Sequence, residues 1–121
     1  VYAGDEQGFR GIKRDQAGGD AEVRPPFPAT PEELADLGQG WFSLHQELIG
    51  LRRRHPWLHA ARTETLSLTN TGLVYRTAFG SDALLVALNI GDEPMPRPPG
   101  EVVAGDPGDA LPGHSWVVVQ G

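Results

Sequence analysis

Carboxylates come first, because acid/base chemistry depends on them. Asp5 and Glu6 stand side by side in Gly4-Asp5-Glu6-Gln7-Gly8-Phe9. Neighbours on an extended strand point to opposite faces, so these two cannot act as a facing pair. Asp15, Asp20 and Glu22 lie in a glycine-rich stretch and could offer oxygen ligands to calcium. Their spacing matches no EF-hand loop, and no metal site is expected. His45, His55, His59 and His114 show no ligand spacing that survives Pro56, and they read as solvated or capping residues. Gly18-Gly19 lacks the lysine and the strand-to-helix setting of a phosphate loop. Arg24 is a planar fork of donors that can hold hydroxyls or a carboxylate. It can equally pair with Asp20 or Glu22 and pin its own loop. Cysteine is absent, which removes disulfides, thiolate metal sites and a cysteine nucleophile.

The elements that must position these groups centre on one helix. Residues 40–55 are the only long, strongly periodic stretch. Trp41, Leu44, Leu48 and Leu51 recur at three- and four-residue spacing on one face. Phe42 and Ile49 widen that face to about half the cylinder, more than a helix needs for a single neighbour. A helix this broad sits between two partners. Arg52, Arg53, Arg54 and His55 suit the negative end of its dipole, and Pro56 stops it. Residues 10–28 have no helical or strand period and read as a long loop. Thr30-Pro31-Glu32-Glu33 predicts a helix start, with Thr30 as cap and Glu33 completing a capping box. The short helix that follows is expected to close at Gly38.

After residue 62 the period changes to two. Strands are predicted at 63–68, 73–79, 83–90, 101–104 and 115–119, separated by glycine, asparagine and proline turns. Residues 83–90 are apolar on both sides, as in a central strand covered twice. Several short strands with turn signals suggest an antiparallel sandwich or a curved sheet.

At 121 residues the chain can build one modest core. With 16 glycines and 11 prolines, loops take a large share of it. The net charge of −6 repels phosphate backbones, so no nucleic-acid partner is expected. No apolar run approaches a membrane span, so no membrane partner is expected either. The chain opens at Val1 on what reads as a strand end, and its one methionine is Met95. It is therefore expected to be a piece of a longer protein.

Val1-Tyr2-Ala3-Gly4-Asp5-Glu6 resembles the end of the eighth strand of the α-amylase family of glycoside hydrolases, with its Tyr-Gly-x-Glu signature. Ala3 stands where that motif often has a second tyrosine. Gly18-Gly19-Asp20 through Arg24-Pro25-Pro26-Phe27-Pro28 is similar to the loop that follows the strand. Leu48-Ile49-Gly50-Leu51-Arg52-Arg53-Arg54-His55-Pro56 resembles the eighth barrel helix. Leu84-Leu85-Val86-Ala87-Leu88-Asn89 and Leu111-Pro112-Gly113-His114-Ser115 resemble strand and turn positions of the C-terminal β-domain.

The resemblance implies an α+β fragment. One long helix packs on a C-terminal antiparallel β-sandwich and is preceded by a loop-rich remnant of a (β/α)8 barrel. Residues 1–59 would be the last strand end, loop and helix of the barrel, and residues 60–121 the C-terminal all-β domain. The intact parent would act on α-glucosidic linkages. A retaining glycosidase needs two carboxyl groups about 5 Å apart. In the family the catalytic Asp, Glu and Asp follow the fourth, fifth and seventh strands, so no catalytic residue and no cofactor is expected here. What remains is a site rim, with Arg24, Tyr2 and Glu6 as candidate substrate-binding residues. Glu6 reads more simply as a structural acceptor. Expected partners are an α-glucan or oligosaccharide in the parent and the missing N-terminal barrel; at the exposed helix face, residues 1–28 are expected to be loose or to fold back onto it, or a second copy of the chain to form a homodimer there. Two rival readings stand beside this. One is a non-catalytic carbohydrate-binding module that stacks sugars on Trp57 or Trp116. The other is a structural domain supporting the barrel, with all three tryptophans, Trp41 included, read as core.

Overall fold

The computed structural model describes residues 4–23, 25–34 and 38–121. The chain divides into two compact units, Val1–Ile49 and Gly50–Gly121. The predicted strand at residues 1–3 lies outside the described residues.

The first unit is mostly loop. Pro31–Glu33 forms a single 3-10 turn, with Pro31 at its first position. The predicted capping box forms differently. Thr30 makes no cap bond to the turn. The Glu32 carboxyl is held below its usual range by its own backbone N–H and by the Thr30 hydroxyl. The Glu33 carboxylate instead accepts from the Ala29 N–H at 3.2 Å. Helix α1 spans Gly38–Arg54, two residues longer at its start than the periodicity predicts. Gly38 is therefore part of α1, and residues 35–37, over which the short helix is expected to run, lie outside the described residues. Gly38 carries no side chain because Gln7 passes there: a Cβ would lie 3.0 Å from the Gln7 carbonyl oxygen.

The end of α1 and, among the described residues, all the strands belong to the second unit. The His55 backbone N–H donates to the Leu51 carbonyl at 3.1 Å, and its ring Nδ1 lies 2.9 Å from the same oxygen. This caps the helix as predicted. Pro56–His59 then makes one 3-10 turn. Seven strands follow: β1 Arg62–Leu68, β2 Gly72–Phe79, β3 Asp82–Asn89, β4 Met95–Pro96, β5 Val102–Ala104, β6 Ala110–Leu111 and β7 Ser115–Gln120. Five form one antiparallel sheet in the order β1-β2-β3-β7-β5. The pairing β4-β6 makes a separate two-stranded sheet that period-two reading did not predict. Two-residue strands carry no period, so only their distant pairing, Met95 to Leu111, defines them. One helix with a mostly antiparallel sheet makes an α+β fold.

Strand β3 sits at the centre and is covered on both faces, as its double apolar pattern predicts. Its register pairs Val86 with Val118 and Ala87 with Val117. Alternation sends Leu84 and Val118 into one cluster with Leu51 of α1 and Ala104 of β5, against which Trp57, Leu58 and Trp116 pack. It sends Ala87, Val117 and Val119 into the other cluster with Leu111, flanked by Val74, Leu85 and Met95. Leu84 in the first cluster and Leu111 in the second are fully buried, and each contributes about 1.5–3 kcal/mol by leaving water. Strand β1 is exposed along its whole length, and a register shift between Thr65 and Ser67 interrupts its pairing. That irregularity blunts the open edge against further strand pairing.

Candidate functional site

Asp5 and Glu6 lie on a 3-10 turn, Asp5–Gln7, not on an extended strand. Gly4 at φ 99° and Gly8 at φ 63° bracket it, left-handed positions that glycine fills without strain. The Gln7 and Gly8 N–H groups donate to the Gly4 and Asp5 carbonyls at 3.0 Å. The strand argument that separates the two carboxylates therefore does not apply. Glu6 instead turns back and accepts from the Gly4 N–H at 3.2 Å, a bond within its own turn.

Tyr2 and Arg24, the other two candidate substrate-binding residues, lie outside the described residues. The stretch 13–22 is a loop tied by its own charges. Arg14 Nε donates to Glu22 Oε1 at 3.0 Å, and a second Arg14 nitrogen sits 2.9 Å from the same oxygen. Lys13 reaches Asp20 at 3.5 Å. The Arg14 N–H closes the loop on the Gly19 carbonyl at 3.1 Å. Among the described residues no three His, Asp or Glu side chains gather as a metal ion requires.

The histidines and tryptophans divide by position. His114 lies 2.7 Å from Asp92 on the surface. Trp57 and Trp116 are half-buried against the Leu51–Leu84 cluster, as core residues are. Trp41 departs from that reading: it is 46% exposed.

The exposed indole of Trp41 borders a cavity of about 370 Å³ lined by Asp5, Gly8, Phe9, Arg10, Trp41 and His45. Helix α1 supplies Trp41 and His45 four residues apart, so both lie on one face. The indole rests on Gly8, where a Cβ would meet ring carbon Cδ1 and lie 2.7 Å from Nε1. Phe9 is braced by Phe27, with ring centroids 5.3 Å apart. His45 Nδ1 lies 2.8 Å from the Trp41 carbonyl. A carbonyl only accepts, so Nδ1 carries the proton and Nε2 of the neutral ring is an acceptor. Sequence reasoning did not assemble this cluster. The Trp-x-x-x-His spacing was its one legible sign.

Solved structures similar to this chain include two whose descriptions name an enzyme class. One is an α-amylase-like protein from Salmonella typhimurium, with 27% identity and a TM-score of 0.60, covering 78% of this chain. The chain is similar to an α-amylase-family protein over that length. Its match is to the C-terminal part of such an enzyme. The second structure, CldA, is described as a cyclomaltodextrin glucanotransferase with a three-domain ABC distribution. It shares the fold at a TM-score of 0.66 over 99% of this chain, with 23% identity. The chain spans only 20% of the first protein and 28% of the second. No protein-family model and no curated protein matches it.

Proposed function

We propose that this chain is the C-terminal part of an α-amylase-family glycosidase whose intact form acts on α-glucosidic linkages. Residues 1–59 are the last strand end, loop and helix of its (β/α)8 barrel. Residues 60–121 are its C-terminal β-domain, with the two-stranded sheet as the smaller layer of a sandwich. The observation that carries this reading is the likeness to the Salmonella typhimurium protein, which extends over 78% of the chain at 27% identity. The barrel supplies the catalytic carboxylates from upstream, and the chain alone hydrolyses nothing. Tyr2, Glu6 and Arg24 face the substrate from the carboxyl end of the last strand.

The β-domain acts structurally. This reading is favoured over a sugar-binding module by the half-buried packing of Trp57 and Trp116 on the core, since a stacking platform needs an open face. Phe42 and Ile49 are exposed and seven residues apart on α1, so they share one stripe. In the parent the rest of the barrel covers that stripe. In the isolated chain a second copy covers it. The test is a comparison of maltoheptaose hydrolysis by the 121-residue chain and by the longer protein that includes the region before Val1. Hydrolysis only by the longer protein is the expected result. Hydrolysis by the short chain, or by neither, would reject the proposal.

A further inference from the structure

We infer that residues 52–62 form a basic surface that docks a short acidic segment of a partner polypeptide, one with clustered Asp or Glu side chains. Four of the chain's 10 lysines and arginines fall in this stretch: Arg52, Arg53, Arg54 and Arg62. It holds no carboxylate. The rest of the chain keeps six cations against 16 acids, a net charge of −10. A positive surface therefore stands on an otherwise acidic protein. All four arginines are exposed. Among the described residues none of their guanidinium groups makes an ion pair or a hydrogen bond.

The helix end does not account for this charge. A helix dipole places only about half an elementary charge at the C-terminus. Three guanidinium groups in the last turn of α1 exceed that several-fold. The His55 ring Nδ1 already lies 2.9 Å from the Leu51 carbonyl there. The backbone beneath the surface is anchored: Leu51 is buried, and Trp57 and Leu58 pack on the same cluster. Successive helical residues turn by about 100°, so Arg52 and Arg54 flank the line of Leu51 and Arg53 lies on the side away from it.

A short acidic segment of polypeptide fits this surface better than nucleic acid does. Guanidinium forks hold carboxylates by paired, charge-assisted hydrogen bonds. A flexible segment meets the arginines and then leaves the protein. A DNA duplex is rigid and carries one charge about every 1.7 Å of its axis, which brings the rest of its length against a net negative surface.

The experiment follows the anisotropy of fluorescein-labelled octaglutamate as the 121-residue chain is added. The expected result is saturable binding with a dissociation constant on the order of 0.1 mM at about 50 mM salt, weakened about tenfold at about 200 mM. Arg53→Gln weakens binding about fivefold, and Arg54→Gln a comparable amount. Lys13→Gln removes the same charge from the other unit and leaves the affinity within about twofold. Circular dichroism checks that all three variants keep the fold. A DNA duplex of about 16 base pairs gives no saturable binding under the same conditions. No binding of octaglutamate, or unchanged affinity in both arginine variants, overturns the inference. Tighter binding of the duplex than of octaglutamate assigns the surface to nucleic acid and overturns it as well. So does salt-sensitive dimerisation of the chain alone, by sedimentation, that Arg53→Gln abolishes, because a second copy would then be the occupant. Each of these outcomes is independent of whether the longer protein hydrolyses maltoheptaose.

Discussion

The side-chain amide of Asn89 donates to the Pro112 carbonyl at 2.9 Å, joining the end of β3 to the turn before β7. Asn89 is only 3% exposed. Its Nδ2 also lies 2.8 Å from the Glu93 carbonyl and 3.3 Å from that of Leu111, and its Oδ1 accepts from the Gly91 N–H at 3.0 Å. One side chain thus satisfies two turns that have no regular partners. Asn89→Ala leaves those groups unpaired and should destabilise the sheet unit by about 1–3 kcal/mol for each group left dry, read by urea unfolding. Asn89→Asp sets a carboxylate against three carbonyls, and burial then raises its pKa above the unfolded value. The stability of that variant should be fullest below about pH 4 and fall as pH rises through the raised pKa.

Leu84 and Leu51 test whether the end of α1 belongs to the sheet's core. Both are buried in one cluster, Leu84 at 1% exposure. Leu84→Ala should cost about 2–5 kcal/mol, and Leu51→Ala a comparable amount, from lost transfer energy and a residual cavity. Leu66→Ala, on the exposed strand β1, should stay within about 0.5 kcal/mol of the parent. Thermal melts of the three variants check this.

Tyr75 gives the sheet an alkaline limit. Burial raises its hydroxyl pKa above the ordinary value of 10.0. A raised pKa means that the folded state favours the protonated form. The contribution is fully present below about pH 10 and is lost as pH rises through the folded pKa. Tyr75→Phe should flatten that loss, measured as melting temperature against pH from 8 to about 11.

Gly8 should be intolerant of any side chain. Its φ of 63° and the Trp41 indole above it both exclude a Cβ. Gly8→Ala should cost about 1–2 kcal/mol from the backbone alone and should move the Trp41 fluorescence maximum.

Strands with a period were legible in the sequence. Leu84-Leu85-Val86-Ala87 announced a strand buried on both faces, and its side chains feed both core clusters. What was hidden depended on distant partners or on local competition. Met95 becomes a strand only because Leu111 lies opposite. Asn89 reads as a strand end, because its three carbonyl partners lie in turns whose approach no local pattern encodes. The Thr30 hydroxyl had two acidic neighbours within reach of the cap, and Glu32 took it. Trp41 fits a helical apolar face by spacing, yet the loop at Gly8 leaves it half in water and makes it part of a cavity. Of the three candidate substrate-binding residues only Glu6 lies among the described residues, and it bonds within its own turn.

The most direct test of the central claim is maltoheptaose hydrolysis, measured as release of reducing ends by the 121-residue chain and by the longer protein carrying the region before Val1. Turnover by the longer protein and none by the short chain is the predicted result. Turnover by the short chain that disappears in Asp5→Asn or Glu6→Gln would contradict it, because the catalytic carboxylates would then lie within these residues.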